Sequence, residues 1–288
     1  MRACYHVEIV TPKNVVLNGL VLGAKKPKRM FIWLHGLNSS MFSKMSIMDL
    51  LTDNETAVLA FNNRGHDKVS AITTTSGKST KLRGGGAHEV FTDCVDDIDG
   101  AIRLARSLGA KDIFLVGHST GCQKSVYWAS KKGRGISGIV LLAPVSDYSA
   151  GLLVSGKGVL SRAEKIARTL VKKRRPHELL PEDVLAWGEM ADAQRFLSLY
   201  TPQSVEEIFT YAQRGKKPAR LAKVRLPILA ILAERDQFVD RPPAELYAWF
   251  LQHIYEGEVH IVEGAEHGFR GAEREVAGII KQWSKARP

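Results

Sequence analysis

Apolar runs alternate with polar, turn-rich stretches along most of this chain, and the spacing inside each run separates strands from helices. Residues 30–34 (MFIWL), 57–61, 113–116, 139–142 and 228–232 are continuous apolar segments, and residues 259–262 form a weaker one. Unbroken runs of this length predict strands buried on both faces, as in a parallel sheet. Between them, Phe91, Val95, Ile98, Ile102 and Ala105 recur at helical spacing, as do Val276, Ile279, Ile280 and Trp283. Strands alternating with amphipathic helices predict a mostly parallel sheet covered by helices on both faces. Before the first buried run, residues 5–10 and 15–22 are rich in β-branched residues and separated by Thr-Pro-Lys-Asn, which predicts two paired edge strands.

Two stretches break the rhythm. The interval from Ala143 to Pro227 is far longer than one crossover helix requires. It carries several short helical patterns with Pro176, Pro181, Pro202 and Pro218 as breaks. The expected organisation is a core of residues 1–145 and 226–288 with an inserted helical cap over 146–225. Residues 66–86 are rich in Thr, Ser, Gly and Lys without apolar periodicity, which predicts a long surface loop. Within it, Gly84-Gly85-Gly86 offers an anion nest or a hinge before a helix starting near His88, and the hinge is the preferred reading. Ser76-Gly77-Lys78-Ser79 resembles the end of a phosphate-binding loop, but Ile72 stands where that loop needs glycine and no strand leads into it.

Composition narrows the class. The 288 residues are 44% hydrophobic and 25% charged, as in ordinary globular proteins, and no apolar run approaches the roughly 20 residues of a membrane helix. The first residues lack the pattern of a secretory signal, and three cysteines are too few and scattered for a disulfide framework, so a reducing, cytoplasmic setting is expected. The formal net charge of +11 invites a nucleic-acid reading. The excess is regional, however: residues 157–225 hold fifteen Lys and Arg against eight Asp and Glu. A small-molecule partner is therefore preferred over nucleic acid. Lys172-Lys173-Arg174-Arg175 and Arg214-Gly215-Lys216-Lys217 fall in the expected cap, where they either steer anionic substrates or serve only as solvated charges.

Chemistry concentrates at Gly117-His118-Ser119-Thr120-Gly121, a G-x-S-x-G sequence that follows a buried strand and precedes a helical pattern. Small residues at Gly117 and Gly121 permit the sharp strand-to-helix turn that exposes a nucleophilic serine. Of the nine histidines, His267 follows the last expected strand and precedes the last helix, the place for a general base. His35 and His118 flank glycines beside the elbow and suit structural hydrogen bonding; His6, His177, His253 and His260 lie in patterns remote from it. Asp236 is the first aspartate after residues 228–232; Asp240 is its near alternative, and Asp147 a distant one. The order Ser119, Asp236, His267 favours Asp236. Backbone N–H groups of Thr120 and Leu37 are the expected oxyanion donors. No His, Cys and carboxylate cluster has metal-ligand spacing, so neither metal nor cofactor is expected.

His35-Gly36, Asn63-Arg64-Gly65-His66, the elbow, Asp236 and His267 occur in an order and at intervals that resemble the α/β-hydrolase superfamily, in its monoacylglycerol-lipase and serine-aminopeptidase branch. The likeness spans nearly the whole chain. The longer elbow, Gly117 to Gln123, resembles a group that includes fungal siderophore-ester hydrolases. That group often has an acidic residue next, where this chain has Lys124. The resemblance implies an α/β-hydrolase fold with an inserted cap and a serine esterase acting through an acyl-enzyme. An aminopeptidase, thioesterase or acyltransferase with the same triad is the enzymatic alternative, and a ligand-binding protein on this scaffold the non-enzymatic one.

Overall fold

The apolar runs form strands where the sequence predicts them. The computed structural model describes residues 3–76, 82–185 and 189–287. Strands β1 (Cys4–Val10), β2 (Val15–Gly23), β3 (Arg29–Leu34), β4 (Thr56–Phe61), β5 (Ser70–Thr74), β6 (Leu82–Gly84), β7 (Asp112–His118), β8 (Gly138–Leu142), β9 (Ile228–Ala233) and β10 (Gly257–Val262) join in one sheet. Its order is β10-β9-β8-β7-β3-β4-β2-β5-β6, with β1 on β2. From β4 to β10 every pairing is parallel, and the strands around β2 are antiparallel. Helices α2 (Cys94–Ser107), α3 (Thr120–Lys131) and α6 (Pro243–His253) cover one face, and α1 (Met45–Leu51) and α7 (Glu273–Lys285) the other. In α7, Val276, Ile280 and Trp283 point into that second layer. Each contributes about 1.5–3 kcal/mol of burial.

Between β8 and β9 the chain leaves the sheet. Helix α4 (Asp147–Lys172) starts on a Ser146 cap, whose Oγ accepts from the Ser149 N–H at 3.1 Å. Gly156, with φ 75° and ψ 155°, is not helical, so α4 is two helical segments joined at a kink. Short pieces follow, including α5 (Ala193–Leu199). Leu160, Ala163, Ala167, Phe196, Leu199 and Tyr200 form an apolar cluster of their own. No helix of the described residues is long and apolar enough to cross a membrane.

Three local expectations are corrected. β2 is not an edge: its residues Gly19–Gly23 pair with β4 and Val15–Val16 with β5, so of the expected pair β1 is the peripheral strand. Part of the expected loop is a pair of antiparallel strands, since Ser70 pairs with Gly84, Ala71 with Arg83 and Ile72 with Leu82. Only Ile72 is a large apolar residue on β5, so the strand leaves almost no apolar signal. Gly77, Lys78 and Ser79 lie outside the described residues. Finally, α2 starts at Cys94 behind a 3-10 turn at Phe91–Asp93, so Gly84–Gly86 leads into an ordered segment rather than directly into a helix.

Candidate active site

Ser119 sits where β7 turns into α3, with φ 55° and ψ −124°. A non-glycine residue in this region costs about 1–3 kcal/mol and persists only where its surroundings impose it. They do so here through close backbone contact. A Cβ on Gly117 would lie 2.3 Å from the Gly121 carbonyl oxygen, and one on Gly121 would lie 2.2 Å from that of Leu34. The Ser119 N–H donates to Leu142 O at 3.0 Å, and the Cys122 N–H to Ser119 O at 2.8 Å.

His267 follows β10. Its Nδ1 donates to Asp236 Oδ2 at 2.8 Å, while Asp236 Oδ1 accepts from the Phe238 N–H at 3.0 Å. The Phe238 ring stands edge-on to the imidazole, 4.8 Å between centroids. His118 Nε2 donates to His267 O at 2.9 Å, and Lys44 Nζ to Gly268 O at 2.8 Å, so two side chains hold the loop that carries the imidazole. Burial, then the neighbouring His267 and Lys44, push His118 well below the usual imidazole range, which keeps it neutral. His35 is likewise driven down, to about 3, by burial and then Lys124.

The other carboxylate candidates point elsewhere. Burial opposes ionisation of Asp240, but hydrogen bonds from Arg241 and Ser149 hold it below the ordinary carboxylate range. Arg241 Nε lies 2.9 Å from its Oδ1. Asp147 accepts from Gln123 Nε2 at 2.5 Å; burial, together with Glu206, Glu207 and Glu189, pushes it well above that range against the pull of Arg195.

Ser119, His118 and His267 line a cavity of about 470 Å³ with Gly36, Leu37, Lys44 and Phe238 from the core. Asp147, Ala150, Glu189 and Tyr200 close it from the insertion. Among the described residues, neither the Leu37 nor the Thr120 amide finds an acceptor. Thr120 opens α3, where unpaired amides and the helix dipole favour negative charge. A carbonyl oxygen that becomes negative beside Ser119 would therefore meet donors rather than acceptors.

The basic runs do not line this cavity. Lys172 borders a separate shallow depression with Glu164, Lys165 and Arg168, and Lys216 binds Pro202 O and Gln213. From residues 146–225, Asp147 and Glu189 line the cavity beside Ser119, and burial pushes both carboxyls above the usual range, toward the neutral form. Sequence reasoning missed Lys44 and Phe238, because a lysine before a short helix and a phenylalanine in a loop carry no pattern. It singled out Lys124 only as a departure; the side chain is 1% exposed and paired with Glu89.

Fold and site together define an α/β-hydrolase. The model of the family described as serine aminopeptidase, S33 matches residues 25–274, and the chain belongs to that family of hydrolases. Solved structures of the same fold include the Pyrococcus furiosus esterase Pf2001 (19% identity, 99% of this chain and 92% of that one, TM-score 0.62). The siderophore hydrolase EstB from Aspergillus fumigatus is similar at 18% identity over 99% and 98% of the two chains, TM-score 0.68. The Paleococcus ferrophilus monoacylglycerol lipase gives 17% identity over 94% and 98%, TM-score 0.65. No curated protein matches in sequence.

Proposed function

We propose that the protein is a serine esterase that cleaves carboxylic esters of small molecules through an acyl-enzyme, with Ser119, His267 and Asp236 as its triad. The observation that carries this reading is the strained Ser119 sharing a cavity with an imidazole anchored on Asp236 at 2.8 Å and with the acceptor-free Leu37 and Thr120 amides. Ser119 Oγ attacks the ester carbonyl as His267 Nε2 takes its proton. Asp236 holds Nδ1–H, which leaves Nε2 free as the base and stabilises the imidazolium that forms. The N–H groups of Leu37 and Thr120 receive the negative oxygen. Collapse of the tetrahedral adduct breaks the bond to the alcohol, which leaves with the proton from His267. Water then attacks the acyl-enzyme with His267 again as base, releasing the acid and restoring Ser119. Residues 146–225 serve as a cap over this site, on a core of residues 1–145 and 226–288.

A panel of esters, thioesters and anilides with matched acyl groups tests the substrate class. Ester kcat/KM is expected to exceed anilide kcat/KM by at least about a hundredfold. Preference for anilides would make the enzyme a peptidase, and turnover of none would leave a binding protein. Among the described residues no cluster of His, Cys, Asp and Glu can hold a metal ion, and the proposed steps need none. Exhaustive EDTA treatment is expected to leave turnover unchanged; loss restored by zinc would overturn the mechanism.

The placement of the basic runs away from the cavity bears on substrate charge. Neutral and anionic esters of equal size are expected to lose kcat/KM in parallel as salt rises from low ionic strength through 0.15 M, where screening acts over about 8 Å. A selective loss for the anionic ester, abolished by charge reversal of Lys172, Lys173, Arg174 and Arg175, would instead assign those residues a steering role.

A further inference from the structure

Three parts of the proposed site converge on one short segment that none of the chemical steps uses. Residues 86–89 (Gly-Ala-His-Glu) run between the β5–β6 hairpin and α2. The segment carries the start of α5. Asp192 N–H donates to Ala87 O at 2.8 Å, Gln194 Nε2 to Glu89 O at 3.1 Å and Arg195 Nε to Gly86 O at 3.1 Å. His88 Nδ1 completes this side by donating to Asp192 Oδ2 at 2.9 Å.

The Glu89 side chain then reaches the helix that Ser119 begins. Its Oε1 lies 2.5 Å from Lys124 Nζ on α3, and its Oε2 lies 3.0 Å from Arg195 Nη2 on α5. Lys124 Nζ also donates to Asn63 Oδ1 at 3.2 Å, and Arg195 is paired with Glu206. Exposures of 5%, 1%, 0% and 1% for Glu89, Lys124, Arg195 and Glu206 mean that these charges are removed from water, where removing one partner leaves another uncompensated. Burial opposes ionisation of Glu89, but Lys124 and then Arg195 hold its carboxyl below the usual range.

The third contact is with the loop that carries Leu37. Asn38 stands against Gly86 so closely that a Cβ there would lie 1.9 Å from Asn38 Oδ1. The Gly86 N–H meanwhile donates to Asp67 O at 2.7 Å, and the Asp67 N–H to Ser39 O at 2.8 Å, so the same loop is tied on from its other side.

We propose that residues 86–89, through the Glu89 carboxylate, form a positioning node. It aligns the Leu37 loop with the Ser119 helix and makes that alignment depend on how the segment bearing Arg195 is seated. Glu89, Lys124 and Arg195 are positioning residues, since they act through Leu37, Thr120 and Ser119. Their effect should fall on kcat, and it should extend to an acetyl ester whose single methyl group makes minimal demands on the insertion. The kinetic consequence rests on the esterase reading; the mechanical coupling does not.

The test pairs two measurements on the full chain carrying Arg195→Met. Hydrogen exchange followed by mass spectrometry reads the peptides that contain Leu37 and the first turn of α3. The node requires both to exchange at least about tenfold faster, although Arg195 lies in the insertion. The second measurement is p-nitrophenyl acetate turnover per active serine, with active serines counted by fluorophosphonate titration. Titrated kcat should fall at least about tenfold, KM should stay within about threefold, and Arg195→Lys should recover part of the loss. A purely structural role gives fewer active molecules, each with wild-type kcat, and that outcome overturns the proposal. Unchanged exchange at Leu37 and α3 overturns it as well. As a control, Arg162→Ala removes the exposed Arg162–Asp183 pair of the same insertion and should move neither readout. If Arg195→Met does not fold, Gly86→Ala keeps every charge and displaces Asn38; there the titrated kcat should fall at least about threefold, and wild-type turnover overturns the node. A wild-type protein that neither hydrolyses the acetate nor takes the fluorophosphonate refutes the esterase reading, while hydrogen exchange still decides the node.

Discussion

Ser119→Ala is expected to remove ester turnover while leaving the protein folded. The substitution deletes one oxygen at a position whose backbone is fixed by Gly117, Gly121 and the bond from its own N–H to Leu142 O, so the elbow keeps its shape. Loss of a triad nucleophile costs about 10⁴ to 10⁶ in rate, and only the residual contribution of the oxyanion donors and of binding survives. His267→Ala should be comparably severe, because without a base Oγ keeps its proton. The double substitution should cost little more than either one, since the two residues act as a unit. Purified Ser119→Ala that kept more than about a tenth of wild-type kcat/KM would place the nucleophile elsewhere.

Asp236→Asn is expected to cost about 10⁴ in kcat, against less than about threefold for Asp240→Asn. The reason is the tautomer. Asp236 accepts from His267 Nδ1 and is itself fixed by the Phe238 N–H. An asparagine can turn its NH₂ toward Nδ1, which moves the ring proton to Nε2 and removes the base. Asp240 is occupied by Arg241 and has no bond to His267 among the described residues. Measured kcat values for the two variants decide the matter, and equal losses or the reverse order would move the role to Asp240.

These expectations draw on residues that sequence alone brings forward, and the node does not. The buried strands were legible because continuous apolar runs report burial on both faces. The elbow was legible because its glycines are needed within five consecutive residues. Asp236 and His267 could be read from order, since each follows a strand that could be recognised. The pairing of Glu89 with Lys124 and Arg195 left no such trace. Periodicity sees the burial of one residue at a time, and a buried ion pair between residues distant in sequence looks like separate surface charges. The β5–β6 hairpin was hidden for a related reason: Ile72 and Leu82 are its only large apolar residues, and its order comes from backbone pairing of β5 with β2 and of β6 with β5.

The central claim is that Ser119 is a nucleophile activated by His267 and Asp236. Its most direct measurement is incubation of the purified protein with a fluorophosphonate, followed by peptide mass spectrometry to locate the adduct. The account predicts one adduct, on Ser119, formed rapidly by the wild type, absent from Ser119→Ala and strongly slowed in His267→Ala. No adduct on the folded wild-type protein, or an adduct on another residue that persists in Ser119→Ala, would contradict it.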